Sequence, residues 1–214
     1  MPAETHEDGN LRVIKLASLG PYDNNAYIIA DAASGEAIVV DMPGGSEAVI
    51  DAARRYRVQA IVLTHTHPDH WLDYDRVKAA LGAPVLCHPA ERIMPAEKSD
   101  GPLADGEELT VGGVAVRCIH TPGHTPGSTC FLAGRFLFSG DTLFPGGPGR
   151  TQTPDDLRET IASITERLYS LPDETLVLPG HGADTTIGES RREYAAFASR
   201  EHPADLCGDV TWEG

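Results

Sequence analysis

"LTHTHPDHW", residues 63–71, follows directly on the apolar run "AIVLT" (60–64) and sets His65, His67, Asp69 and His70 within six residues. Borderline divalent metals take neutral imidazole nitrogens and carboxylate oxygens, so this grouping reads as a metal loop hung on the end of a buried strand. His65 and His67, two apart in extended backbone, can point the same way. Pro68 bends the chain after them, so Asp69 and His70 can face a second position. One loop can then feed two adjacent metals.

Further candidates lie outward from this loop. His124 sits in "TPGHTPGS", where Gly and Pro fix the backbone. Asp141 ends the run "FLFSGD", and His181 follows "TLVL" in "PGHG". Each lies just past an apolar strand, and a rigid strand end holds a ligand well. The set is five histidines and two aspartates, enough for two metal sites sharing one carboxylate. His6, His88, His120 and His202 read as ordinary residues.

The rest of the chain reads as short strands, then alternating helix and strand, then a second run of strands. Strands are expected at 11–16, 25–30, 37–41, 60–64, 83–88, 113–120, 128–133, 135–141 and just before His181. Helices are expected at 46–56 with Ser46 as N-cap, at 73–81 ending at Gly82, at 153–171 with Thr153 as cap and Pro154 at its first position, and at 189–200. Residues 89–110 read as mostly loop and 143–152 as a Gly/Pro-rich loop. Residues 1–10 read as a flexible tail, leaving 11–214 as one domain. Each half holds a strand run, a ligand-bearing loop and a helix.

The chain has 214 residues, a formal net charge of -15 and a pI near 4.9. So negative a surface repels phosphate backbones, which argues against a nucleic-acid substrate. Cys87, Cys118, Cys130 and Cys207 form no C-x-x-C pair and read as reduced thiols. "MPAETHEDGN" has neither a basic n-region nor an apolar h-region, and no apolar run is long enough to span a bilayer. A cytoplasmic protein without a membrane partner is expected.

Taken in order, "HTHPDH", "TPGHTPGS", "SGDTLF" and "PGHG" resemble the metallo-β-lactamase superfamily, most closely its glyoxalase II-like (hydroxyacylglutathione hydrolase-like) branch. The resemblance covers about residues 11–182. It implies an α/β fold, a four-layer αββα sandwich with metals at one edge of the two sheets. It assigns His65, His67 and His124 to one metal and Asp69, His70 and His181 to the other, with Asp141 bridging. Asp41, ending "AIVVD", matches a carboxylate that orients a ligand histidine. Two divalent ions are implied, zinc first, although iron or manganese suits the same ligands.

The activity implied is thioester hydrolysis by a metal-bound hydroxide, with Asp69 also orienting the nucleophile or relaying its proton. The expected partner is a small-molecule thioester, and an oligomer is compatible. Arg150, in "GGPGRTQ", stands where the branch carries a substrate-binding basic residue. The tyrosine expected soon after it is missing, and only 33 residues (214 − 181) follow His181, fewer than the branch uses to hold glutathione. The rival reading is a persulfide dioxygenase with a single iron, which shares the Arg150–Thr151 pair. A lactonase, or a structural metal-binding protein, stands further off.

Overall fold

The computed structural model describes residues 3–212. The first half of the chain builds one sheet from β1 (Glu4–Asp8), β2 (Leu11–Leu19), β3 (Asn24–Asp31), β4 (Glu36–Val40), β5 (Arg57–Val62), β6 (Val85–Cys87) and β7 (Gly101–Pro102), in that spatial order. Strands β1 to β4 run antiparallel. From β4 to β7 the pairing is parallel. Helices α1 (Glu47–Ala53) and α2 (Tyr74–Leu81) make the parallel crossovers.

The second half builds the other sheet from β8 (Glu108–Val111), β9 (Val114–His120), β10 (Thr129–Ala133), β11 (Phe136–Gly140), β14 (Leu176–Pro179) and β15 (Thr185–Thr186). A separate two-strand ribbon, β12 (Leu143–Phe144) with β13 (Gly147–Pro148), precedes α3 (Pro154–Ala162). The helix α4 (Ile187–Ala198) follows β15.

Side-chain alternation sorts these elements into layers. Val13, Tyr27, Ile29, Val40 and Val62 of the first sheet meet Val116, Phe131, Phe136 and Phe138 of the second in one buried cluster. Residues of opposite parity, Ile14, Ile28, Val39 and Ile61, pack with Val49, Ile50, Tyr74 and Val77 from α1 and α2. On the far side Ile119, Leu137 and Val177 pack with Leu157, Ile187 and Phe197. Both sheets are thus apolar on both faces, and the order helix, sheet, sheet, helix is the αββα sandwich expected.

Several local expectations change. Glu4–Asp8 is not a tail: it pairs along β2 from Glu4↔Lys15 to Asp8↔Leu11, and the His6 ring lies 5.7 Å from that of Phe136. Its charged sequence lacks apolar alternation because an edge strand draws on backbone pairing and gains from charge. Met1 and Pro2 lie outside the described residues. Ser46 does not cap α1 with its side chain. Its hydroxyl donates to the Pro43 carbonyl instead. The helix expected at 153–171 is α-helical to Ala162 and continues as a π-helical turn, Ser163–Leu168. Its start is as read: Thr153 Oγ1 accepts from Asp156 N at 3.2 Å and the Asp156 carboxylate accepts from Thr153 N at 2.9 Å. Among the described residues no helix is long and apolar enough to cross a membrane.

Candidate metal centre

The C-terminal ends of four strands, together with one interstrand loop, converge on one place. Asp41 follows β4, residues 63–71 follow β5, Asp141 follows β11 and His181 lies just past β14. His124 comes from the loop between β9 and β10. The donor atoms of His65, His67 and His124 lie within 4.8 Å of one another, as do those of Asp69, His70 and His181. A third such group, His65, His70 and Asp141, shares one residue with each of the others. All seven residues singled out as ligands are therefore brought together.

Partners behind the rings fix which nitrogen faces inward. His70 Nδ1 donates to Asp41 Oδ2 at 2.9 Å, His124 Nδ1 to the Arg150 carbonyl at 2.8 Å, and His181 Nδ1 to the Tyr22 carbonyl at 3.0 Å. Thr64 spends its hydroxyl proton on Asp41 Oδ2 at 2.9 Å, so it accepts from His65 Nδ1 at 3.1 Å. Each of these four rings then presents a bare Nε2 to the centre. Asp41 holds the arrangement from a buried left-handed backbone, φ 64°, a conformation that Asp tolerates better than most residues and that clusters at functional sites.

Those bare nitrogens face other acceptors. His67 Nδ1 lies 3.0 Å from His65 Nε2 and 2.9 Å from His124 Nε2, and a single proton on His67 can serve only one of the two contacts. Ligand atoms on a tetrahedral zinc with bonds of about 2.0–2.1 Å stand about 3.3 Å apart, close to this spacing. His70 Nε2 lies 3.4 Å from Asp69 Oδ2 and 3.4 Å from Asp141 Oδ1. Both His70 Nε2 and Asp141 Oδ1 are buried without a hydrogen-bond partner among the described residues. Buried lone pairs set against lone pairs are costly unless a cation, a proton or a divalent ion, joins them, and the overlapping groups of His and Asp donors, each within 4.8 Å, fit divalent ions. Gly180 permits this crowding, because a Cβ there would stand 2.3 Å from Asp141 Oδ1 and 2.6 Å from His70 Cε1.

Electrostatics divides the cluster. Burial, with His70 and His124 adding to it, pushes His65 well below the ordinary imidazole range, and burial and His124 lower His67. These rings stay neutral, as a ligand must. Burial would also lower His70, but the carboxylates of Asp141 and Asp41 overcome it and raise its proton affinity well above the usual value. For Asp141 burial acts upward, and His70, His124 and His181 outweigh it, leaving the carboxyl below the usual range. Asp69 is likewise held low against burial, by His181, His70 and Asn24.

Arg150 lies at the rim rather than among the donors. Its Nε stands 3.9 Å from Asp209 Oδ2, with both side chains largely exposed. A cavity of about 340 Å³ opens there, lined by His124, Asp141, Phe144, Arg150, His181 and Asp209 among others. His88 and His120 stay out of the cluster and stack on each other at 3.8 Å.

Three contributors escape sequence reading. Asn24 Nδ2 donates to Asp69 Oδ2 at 2.8 Å, the Tyr22 carbonyl anchors His181, and residues 209–211 wall the cavity. Each acts across more than forty positions or through a backbone atom. Only the doubled amide "NN" at 24–25, at the start of an otherwise apolar strand, hints at a polar task there.

The metallo-beta-lactamase superfamily model matches residues 19–181. An uncharacterised protein of Aquifex aeolicus (strain VF5) is 34% identical over 198 residues, covering 84% of this chain and 94% of its own length. A hydroxyacylglutathione hydrolase of Polaromonas sp. (strain JS666 / ATCC BAA-500) is 37% identical over 168 residues, covering 75% of this chain and 62% of that enzyme. Among solved structures, BLEG-1 B3 metallo-beta-lactamase superposes with a TM-score of 0.75 at 33% identity, over 84% of this chain and 96% of that one. TTHA1623 in a di-iron-bound form gives 0.68 at 32% identity, over 83% and 96%. ETHE1 from Myxococcus xanthus gives 0.71 at 27% identity, over 94% and 86%.

Proposed function

This chain belongs to the metallo-β-lactamase superfamily, and on that premise we propose that it is a metal-dependent hydrolase of small thioesters, of the glyoxalase II-like type. The observation that carries the reading is the pair of donor groups, His65–His67–His124 and Asp69–His70–His181, meeting at Asp141 beside an open cavity. Two divalent ions, zinc first, are the proposed cofactors. Bound there, they would supply a water of lowered pKa and a Lewis acid for a carbonyl oxygen.

The chain's own residues do the rest. Asp41, the Arg150 carbonyl and the Tyr22 carbonyl lock the rings of His70, His124 and His181 so that Nε2 faces inward. Asp69, kept ionised and steadied by Asn24, is placed to orient the nucleophile or relay its proton. The thiolate leaving group needs no protein acid, because a thiolate is a weak enough base to depart unprotonated. The cavity, about 340 Å³, suits a small molecule, and Arg150 supplies a cation at its rim. The net charge of -15 favours such a substrate over nucleic acid.

Metal analysis of protein purified without added metal, paired with a panel of thioesters, lactones and β-lactams, tests the proposal. Two bound ions and thioester turnover are expected. A metal-free protein, or turnover confined to lactones or β-lactams, would sink it. A second reading, oxidation of a persulfide by oxygen at a single iron, draws on the Arg150–Thr151 pair after the β12–β13 ribbon. One iron per chain with oxygen uptake on a persulfide would put that reading first.

A further inference from the structure

The His65–His67–His124 group is assembled from two loops that are distant in sequence. Thr66 lies between two of its members and Thr125 follows the third. A carboxylate from a third segment stands between these loops. Glu91, in the turn after β6, accepts from Thr66 N at 3.1 Å and from the Thr66 hydroxyl through Oε2. Through Oε1 it accepts from Thr125 Oγ1 at 2.5 Å and Gly127 N at 3.0 Å. The Glu91 backbone is itself held, its N–H donating to the His88 carbonyl at 3.1 Å. Position 127 has to be glycine for this approach, since a Cβ there would stand 2.7 Å from both Glu91 N and Cγ.

The geometry points to Glu91 as a positioning residue for the His65–His67–His124 metal site: it clamps the two ligand loops at their working separation and, among the described residues, makes no hydrogen bond to a ligand side chain. Each of its oxygens serves one backbone N–H, which can only donate, and one hydroxyl, which can turn round. A glutamine at 91 therefore cannot replace the carboxylate. Whichever side its NH2 takes, it faces the amide of Thr66 or of Gly127, and one loop is released. The Asp69–His70–His181 group receives no hydrogen bond from Glu91 among the described residues, so the effect should be confined to one half of the centre.

The inference rests on the metal centre proposed above. It is tested by zinc competition with a chromophoric chelator on wild type, Glu91→Gln and Thr125→Val, with the fold of each followed by circular dichroism. Replacing residues that orient ligands from behind costs about tenfold to a hundredfold in metal affinity. Glu91→Gln should accordingly shift one zinc-release step by about tenfold and leave the other in place. Thr125→Val, which keeps the carboxylate and the Gly127 bond, should move the same step by less, and it carries the test if Glu91→Gln fails to fold. Wild-type release curves from both variants, or equal weakening of both steps, would overturn the role of Glu91. A wild type that takes up no zinc, iron or manganese would overturn the metal centre along with it.

Discussion

The carboxylate of Asp41 grips the ring of His70 at 2.9 Å while its other oxygen accepts from Thr64 N, also at 2.9 Å. One residue thus joins the end of β4 to the start of the histidine loop and sets the tautomer of a fully buried imidazole. Asp41→Asn is the informative change, because Asn tolerates the left-handed backbone and keeps the shape. Its amide can satisfy Thr64 N or His70 Nδ1–H, but it offers one carbonyl where two oxygens were used. Metal affinity should fall by about tenfold to a hundredfold with the melting profile of the metal-free protein little changed. Zinc retention equal to wild type would reduce Asp41 to a loop residue.

Asp141 stands nearest the meeting of the groups, with Oδ1 3.4 Å from His70 Nε2 and Oδ2 3.7 and 3.6 Å from His124 and His181 Nε2. Removing it takes a ligand from both proposed ions at once. Asp141→Ala should lower metal content and cut hydrolysis by about a hundredfold or more. Full metal loading with near-normal turnover in this variant would disprove the bridging role.

The layers and the convergence of the candidate donors were legible because both rest on strong local signals. Apolar runs mark the strands, and histidines at strand ends mark the site. What stayed hidden depends on contacts between distant segments. Glu4–Asp8 is stabilised by ladder bonds to β2 rather than by its own side chains. Lys15 looks like a surface residue in "LRVIKL", yet it is buried in an ion pair with Asp184, with a bond to the Gly182 carbonyl that steadies the loop after His181. Asn24 and Glu91 likewise carry no pattern that spacing could reveal, since their partners lie in other loops.

The two halves of the centre can be told apart chemically. His124→Ala should strip the ion proposed for the His65 side, and His181→Ala the ion on the Asp69 side. A hydrolase that uses both ions loses most activity in either variant. Full activity without His181, together with none lacking His124, would show that one ion suffices and would move the persulfide reading ahead. Activity and metal stoichiometry measured on the same preparations decide between these outcomes.

Thiol chemistry offers a check on packing that is independent of the site. Burial raises Cys118 to about 12 and Cys130 to about 11, and also raises Cys87. Only the thiolate alkylates, so at pH 8 these three are protected by proton affinity as well as by burial. Cys207 is half-buried near the surface. Iodoacetamide at pH 8 should modify Cys207 first and reach the others only on unfolding, as peptide mapping would reveal. Fast labelling of Cys118 or Cys130 in the folded protein would contradict the packing between and behind the sheets.

The rim of the cavity carries opposite charges, Arg150 and Asp209, 3.9 Å apart and both largely exposed. A protein with a net charge of -15 does not draw an anionic thioester from a distance, so a local cation has to provide the attraction. Arg150 is placed to do so, but Asp209 competes for it. An exposed pair of this kind is worth at most about 1 kcal/mol, or roughly fivefold in affinity. Arg150→Ala should therefore raise KM for an anionic thioester several-fold and leave kcat nearly unchanged, the pattern of lost uniform binding. Asp209→Asn should move KM the other way, by freeing the guanidinium. An uncharged thioester should respond to neither change, and raising the salt should shrink both effects. Steady-state kinetics with one charged and one neutral substrate on the three proteins would test this. Equal responses from the two substrates would make the Arg150 side chain structural rather than substrate-binding.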